Sequence, residues 1–184
     1  MVYRKIWDAP ISVQKNIWAN AWVKWVHQVD GIIHCLQCLQ LDGCYFLLTN
    51  APPCPLHEKC HCKLEDIDYV MVQNYAEATS NYSKFDPYLF NTNSAYFHGK
   101  EKLFAQWGYT VEDAKWLQAE MERQAREKYI AGEYTLGRLD LFGQRINITI
   151  EIPRKTGEGI VTFVSGWMVE AGGKLKLNTP YGGK

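Results

Sequence analysis

The stretch that decides the fold class is Arg145-Ile146-Asn147-Ile148-Thr149-Ile150-Glu151-Ile152. Its isoleucines alternate with polar residues, and side chains two positions apart on a β-strand point to the same face of a sheet. The stretch therefore predicts a strand with one buried, apolar face. Two further apolar stretches, each preceded by a turn that contains glycine, predict two more strands at Ile160 to Val169 and Lys174 to Thr179. Strands joined by such short connections form an antiparallel meander.

A helix is predicted immediately before this meander. Thr110-Val111-Glu112-Asp113 resembles a capping box, with Asp in place of the usual Glu at its last position. After it, apolar residues recur at three- and four-residue steps as far as Gly132, and these residues are Ala114, Leu117, Met121, Ala125 and Tyr129. A shorter helix is predicted from Lys100 to Trp107. Because the apolar face of an antiparallel sheet has to be covered, we expect the longer helix to pack on the meander, which makes the fold α+β.

The N-terminal part of the chain predicts another amphipathic helix. From Ser12 to Val29, large apolar residues follow one another at steps of four, three and four, namely Trp18, Trp22, Trp25 and Val29. This spacing places them along one stripe of a helix, with Ser12 as its N-cap. Asp30-Gly31 is expected to end the helix, and the cysteine-rich stretch that follows is expected to consist of loops and short strands.

Composition excludes several classes of protein. The chain has 184 residues, of which 47% are hydrophobic, and Lys plus Arg equals Asp plus Glu at 20 each. A balanced charge does not favour a nucleic-acid coat or an anionic membrane, and no stretch approaches the ~18 consecutive apolar residues of a membrane span. The first ten residues lack the apolar core of a secretory signal. We therefore expect a soluble, cytoplasmic protein that does not bind membranes.

All six cysteines lie between Cys35 and Cys62, and five residues there have the spacing of metal ligands. The pattern is Cys35-x-x-Cys38, a gap of 18 residues, and then His57-x-x-Cys60-x-Cys62. A Cys-x-x-Cys turn lets both sulfurs reach one ion, and a second pair brought across a loop completes a tetrahedron, the geometry of structural zinc. The pattern therefore predicts a Zn²⁺ site. Disulfides, reduced thiols and an iron–sulfur centre are alternatives.

Five residues compete for the four positions of such a site. Either Cys60 and Cys62 form the second pair of ligands, or His57 and Cys60 form it and Cys62 packs beside them. Four protein ligands leave no position for water, so the zinc would be structural and would hold together a loop-rich segment. Cys44 and Cys54 stand outside the pair spacing and are interpreted as small buried residues or as a disulfide pair.

Three units are predicted along the chain. Residues 1–66 comprise the N-terminal helix and the Cys-rich zinc-binding module, residues 67–98 a connector rich in aromatic residues, and residues 99–184 the helix and antiparallel sheet. Asp86-Pro87 interrupts any helix in the connector. We expect the connector to pack through its aromatic residues, namely Tyr75, Tyr82, Phe85, Tyr88, Phe90 and Tyr96.

Residues 12–66 resemble a known family. The C-terminal zinc-loop region of phage minor head morphogenesis proteins of the Mu F-like type is similar to four segments of the chain, namely Trp25-Val26-His27-Gln28-Val29-Asp30, Cys35-Leu36-Gln37-Cys38, Leu41-Asp42-Gly43 and Pro55-Leu56-His57-Glu58-Lys59-Cys60-His61-Cys62. The chain departs from that pattern at His61, where the family usually has Arg, and in its additional Cys44 and Cys54. The resemblance implies an origin in a phage or another mobile element.

The C-terminal half is similar to an uncharacterised bacterial domain found at the ends of polymorphic-toxin and mobile-element proteins. The similarity rests on scattered segments, among them Gly99-Lys100-Glu101-Lys102-Leu103-Phe104, Trp107-Gly108-Tyr109-Thr110 and Leu177-Asn178-Thr179-Pro180-Tyr181. This resemblance implies a genomic context rather than a particular reaction.

The function expected from these patterns is a binding or structural role with a protein partner. The alternative is a toxin-type, metal-independent ribonuclease, in which the C-terminal sheet would bind RNA and Arg145, Thr179 and Tyr181 would act on the phosphate. Such an enzyme needs a general base, and the sequence contains no histidine after His98. A third possibility is a redox protein that uses the Cys35–Cys38 dithiol.

Overall fold

The computed structural model describes residues 20–28, 35–90 and 99–182. Within these ranges the chain forms eight β-strands and four α-helices, so its class is α+β, as predicted. The strands are β1 (Trp22–Val26), β2 (Tyr45–Leu47), β3 (Lys63–Ile67), β4 (Glu77–Thr79), β5 (Thr135–Asp140), β6 (Gly143–Pro153), β7 (Ile160–Glu170) and β8 (Lys174–Thr179). The helices are α1 (Leu36–Leu41), α2 (Tyr69–Tyr75), α3 (Lys100–Gln106) and α4 (Ala114–Ile130).

The larger of two sheets has five strands in the order β4-β8-β7-β6-β5. Strands β5 to β8 form an antiparallel meander, which confirms the predicted meander and extends it by one strand. The alternating isoleucines of β6 are fully buried on its inner face, and Leu175 and Leu177 of β8 are buried as well. Their burial follows from the alternation along each strand, because the intervening polar residues point to the opposite face.

Helix α4 packs against this sheet, as predicted. The capping box forms, since the Thr110 backbone N–H donates to Asp113 Oδ2 at 3.0 Å. The Gln124 side chain joins the helix to β6, donating to the Glu151 carbonyl oxygen at 2.6 Å and accepting from the Glu151 N–H at 3.0 Å. The predicted apolar face is fully buried, and its residues are Ala114, Leu117, Met121, Ala125 and Tyr129.

Helix α3 begins where the shorter helix was predicted and contributes an aromatic cluster to the core. Phe104 is fully buried, and its ring centroid lies 5.4 Å from that of Phe163 on β7. Trp107, just after α3, stacks on the same Phe163 ring at 5.8 Å. Tyr181, beyond β8, packs against Phe163 at 6.0 Å. These contacts place the Tyr181 ring among buried aromatic side chains.

Strands β4 and β5 are absent from the sequence prediction. β4 lies in the predicted connector and pairs in parallel with β8, but its three residues are too few to show an alternating pattern. β5 contains a register shift between Leu136 and Leu139, so its apolar residues are three positions apart rather than two. Of the connector's aromatic residues, Phe85 is buried, whereas Tyr75 and Tyr88 are exposed; Tyr96 lies outside the described residues.

The predicted N-terminal helix is wrong over residues 22–26, which form strand β1. This strand is the middle one of a three-stranded antiparallel sheet, in the order β2-β1-β3. Trp22, Val23 and Trp25 are all buried, so side chains on both faces of the strand are covered. A strand buried on both faces shows no alternation, and the spacing of its tryptophans imitates a helical stripe. Residues 12–19 and Val29 lie outside the described residues.

The small sheet packs against the C-terminal end of α4. The Tyr129 hydroxyl donates to the carbonyl oxygen of Tyr45 at 2.6 Å, and its ring meets the Trp22 ring edge-on at 5.1 Å. Tyr134 accepts a hydrogen bond from the Leu47 N–H at 2.9 Å. Buried residues from all three predicted units, for example Trp25, Phe85 and Ile146, belong to one hydrophobic core. The boundaries near residues 66 and 98, as limits of separately folding units, stay predictions.

Candidate metal centre

The five residues predicted as metal ligands lie on two segments that the small sheet holds together. Cys35 and Cys38 stand at the beginning of α1, a helix of six residues in a stretch that was predicted to consist of loops and short strands. His57 and Cys60 lie in the loop before β3, and Cys62 directly precedes that strand. The loop joins β2 to β3, and both of these strands pair with β1. The sheet therefore fixes both ends of the loop.

Two distances in the cluster match those of a tetrahedral ion site. Cys38 Sγ lies 3.6 Å from Cys60 Sγ and 3.4 Å from His57 Nε2. With zinc–sulfur bonds of about 2.3 Å and zinc–nitrogen bonds of about 2.0–2.1 Å, the edges of a tetrahedron are about 3.8 Å between two sulfurs and about 3.6 Å between sulfur and nitrogen. Cys38 Sγ therefore lies close to the spacing that one ion requires from two of the other donor atoms.

The ligand atoms form two overlapping groups. Cys35, Cys38 and His57 make one group, and Cys38, Cys60 and Cys62 make the other; within each group all ligand atoms lie within 4.8 Å of one another. Cys38 is the one member that the two groups share. This arrangement links all five predicted ligands through Cys38, and each group has donors that could hold a metal ion.

The electrostatics of the thiols fit a cation at this place. Burial raises the pKa of Cys38, because the charged thiolate is poorly solvated there, and the neighbouring thiols raise it further. At Cys60, burial raises the pKa of the thiol. Backbone hydrogen bonds from Leu56 and Cys62, with smaller contributions from nearby thiols, outweigh burial and lower this pKa to about 7. A divalent cation would offset the repulsion between thiolates, and thiolates are the form of cysteine that binds metals.

The remaining two cysteines have other environments. Cys44 is fully buried away from the cluster, its Sγ lies 3.6 Å from the Val169 carbonyl oxygen, and burial raises its pKa to about 12. Cys54 is half-buried, and its thiol donates to the Cys62 carbonyl oxygen at 3.3 Å. All six cysteines are free thiols, so the predicted alternative of a disulfide between Cys44 and Cys54 is wrong.

Two residues near the cluster escaped the sequence prediction. His27 Nδ1 lies 3.4 Å from Cys62 Sγ, although His27 belongs to neither of the two ligand groups. The indole Nε1 of the fully buried Trp25 has no hydrogen-bond partner within the described parts of the chain. The sequence analysis missed both residues because it predicted a helix at 12–29. Only the extended strand β1, paired with β3, brings these two positions next to Cys62.

The three residues predicted for a ribonuclease are not brought together. Arg145 lies on the outer face of β6 and forms an ion pair with Asp140 at 2.9 Å. Tyr181 packs on Phe163, whose cross-strand partner is the inward-facing Ile150, so Tyr181 lies on the opposite side of the sheet. The Thr179 hydroxyl donates to the Tyr181 carbonyl oxygen at 3.0 Å. No shared surface in the described structure presents all three side chains to one phosphate.

Comparison with known proteins gives one family. The model of a family described as a domain of unknown function, DUF6883, matches residues 71–184, which is more than half of the chain. The metal-ligand cluster at residues 35–62 lies before the matched range. No curated protein and no solved structure matches the chain. Among the helices of the described ranges, none has both the length and the apolar composition needed to cross a membrane.

Proposed function

The chain belongs to the DUF6883 family, a domain of unknown function, and we propose its role from the candidate metal ligands of residues 35–62. In this proposal a structural Zn²⁺ ion holds the N-terminal module together, and the protein acts by binding a protein partner. The observation that carries the proposal is the cluster of sulfur and imidazole donors around Cys38, at the spacing of a tetrahedral ion. Thiolate and imidazole in tetrahedral geometry are the donors and geometry of structural zinc.

The loop around the cluster explains why the fold needs an ion. Between β2 and β3, residues 48–62 are all described and form a single short 3-10 turn at Leu48–Asn50, with no other helix or strand. A segment with so few backbone hydrogen bonds has little to offset the entropy of ordering it. An ion bound to both α1 and this loop supplies that free energy directly, as structural zinc does in small domains.

An ion whose four coordination positions are all occupied by protein ligands has a structural role rather than a catalytic one. A catalytic zinc keeps one position for water or substrate and has a general base nearby. Here five candidate ligands are available for four positions, so the ion can be fully enclosed by protein. The thiols are free, which is typical of a reducing compartment and supports a cytoplasmic location.

Exposed apolar side chains beside the module support a protein partner. Leu36 and Leu39 of α1 are 57% and 42% exposed, and Leu141 and Phe142, just before β6, are 60% and 74% exposed. The two pairs lie on neighbouring parts of the chain. Gly143, which follows Phe142, lies so close to Gln40, which follows Leu39, that a Cβ built on Gly143 would be 3.8 Å from Gln40 Cβ. Exposed apolar groups that cluster in this way are typical of protein interaction surfaces. From the resemblance to phage minor head proteins, we propose that this interaction is that of a phage-derived protein.

Incubation of the zinc-loaded protein with total RNA separates this role from that of a ribonuclease. We expect the RNA to stay intact over hours, because Arg145 and Tyr181 lie on opposite faces of the sheet. The matched control is the double variant Arg145→Ala, Tyr181→Phe, read on the same denaturing gel. Cleavage by the wild type that the double variant has lost would contradict a purely structural and binding role.

A further inference from the structure

The register of the small sheet places the side chain of His27 opposite that of Cys62. β1 pairs antiparallel with β3, with Trp25 opposite Leu64 and Val26 opposite Lys63. Continuing the register by one residue sets His27 against Cys62. Residues two apart on a strand share a face, so Trp25 and His27 point to the same side, and Trp25 is the diagonal neighbour of Cys62.

The contacts agree with this register. His27 Nδ1 lies 3.4 Å from Cys62 Sγ, a normal length for an N–H group that donates to sulfur. The His27 backbone N–H donates to Asp42 Oδ1 at 2.9 Å, which fixes the chain at the end of β1. The imidazole is therefore held beside the sulfur by the backbone as well as by its own contact.

The indole of Trp25 supplies a second, independent observation. Its side chain is fully buried, and its Nε1–H has no partner in the described structure at normal hydrogen-bond geometry. An unpaired buried N–H group destabilises the folded state, so an acceptor is expected nearby. Trp25 and Cys62 are diagonal neighbours on one face of the β1–β3 pair, and a side chain as long as Trp reaches such a neighbour. The acceptor that the geometry offers this indole is thus the Cys62 sulfur.

We propose that Trp25 and His27 are positioning residues of the metal centre, whose N–H groups donate to the Cys62 thiolate when that sulfur binds the ion. The proposal rests on the proposed zinc site and deepens it, because it makes Cys62 one of the four ligands. A neutral thiol is a weak acceptor, whereas a metal-bound thiolate accepts hydrogen bonds well, so two converging donors favour the bound form. Through Trp25, the hydrophobic core and the metal centre stabilise each other.

The test replaces zinc by Co²⁺ in the full chain and measures affinity and the sulfur-to-cobalt charge-transfer band. An N–H donor lowers the energy of the sulfur lone pair, so its removal should move this band to longer wavelength. For Trp25→Phe and for His27→Ala we expect this shift together with about tenfold weaker binding, the lower end of the range for loss of an outer ligand partner. Trp22→Phe is the matched control, because Trp22 is equally buried on β1 but packs on Tyr129.

Each result decides the proposal. If Trp25→Phe and His27→Ala bind Co²⁺ with the affinity and spectrum of Trp22→Phe, the positioning role is wrong, although the metal site stands. If the wild type binds neither Co²⁺ nor Zn²⁺, the metal site and the positioning role both fail. Far-UV circular dichroism checks the fold of each variant. His27 is only half-buried, so His27→Ala keeps the test available if Trp25→Phe does not fold.

Discussion

Replacement of Cys38 by serine is expected to abolish tight zinc binding. Cys38 belongs to both groups of candidate ligands, and its sulfur lies next to Cys60 Sγ and His57 Nε2. Both sets of four ligands that the sequence allows include Cys38, so the variant loses one ligand in either case. The affinity should fall by more than the roughly 100-fold that the loss of an outer partner can cost. Competition with a chromophoric chelator measures this change directly.

Cys54→Ser is the matched control for this variant. Cys54 lies near the cluster and is half-buried, but its thiol contacts a backbone carbonyl oxygen and belongs to neither ligand group. We expect it to bind zinc as the wild type does. Equal zinc affinity of Cys38→Ser and Cys54→Ser would show that the sulfur cluster does not hold the ion.

Removal of the zinc is expected to open the N-terminal module while the C-terminal sheet stays folded. The loop of residues 48–62 has little regular structure, whereas the isoleucines of β6 are fully buried under α4. At free zinc of 1,000 times its Kd, binding contributes about 4.1 kcal/mol, which is about a 1,000-fold change in an opening equilibrium. Hydrogen exchange before and after chelation should show a loss of protection approaching this size for amides near Cys60.

The amides of β6 are the internal control of this exchange experiment. They lie in the central part of the five-stranded sheet, and we expect their exchange to change little when zinc is removed. Unchanged exchange throughout residues 35–67 after chelation would mean that the ion does not stabilise the module. A loss of protection spread evenly over the whole chain would instead mean that module and sheet unfold as one cooperative unit.

The elements that the sequence predicts well are those whose local pattern and burial agree. Helix α4 has one apolar face and a capping box, and β6 alternates strictly, so each displays the period of its own structure. The prediction fails at β1, because a central strand with both faces covered shows no alternation of apolar and polar residues. β4 is too short and β5 too irregular to give a signal, and tertiary pairing decides both.

The cluster of candidate metal ligands could be predicted because ligand spacing is a local property of the sequence. Two cysteines separated by two residues meet one ion in almost any turn, so Cys35 and Cys38 identify half of the site by themselves. The partners of the ligands depend on strand register instead. His27 and Trp25 approach Cys62 only because β1 pairs with β3, and the stripe of tryptophans conceals that strand.

The most direct measurement is the zinc content of the purified chain together with a count of reactive thiols before and after chelation. We expect close to one zinc ion per chain, and several thiols that react with a thiol reagent only after the ion has been stripped. Cys44 should stay unreactive in both states while the fold is intact, because it is fully buried in the core. A chain without zinc, whose cluster thiols react at the same rate with and without chelator, would contradict a metal centre in this fold.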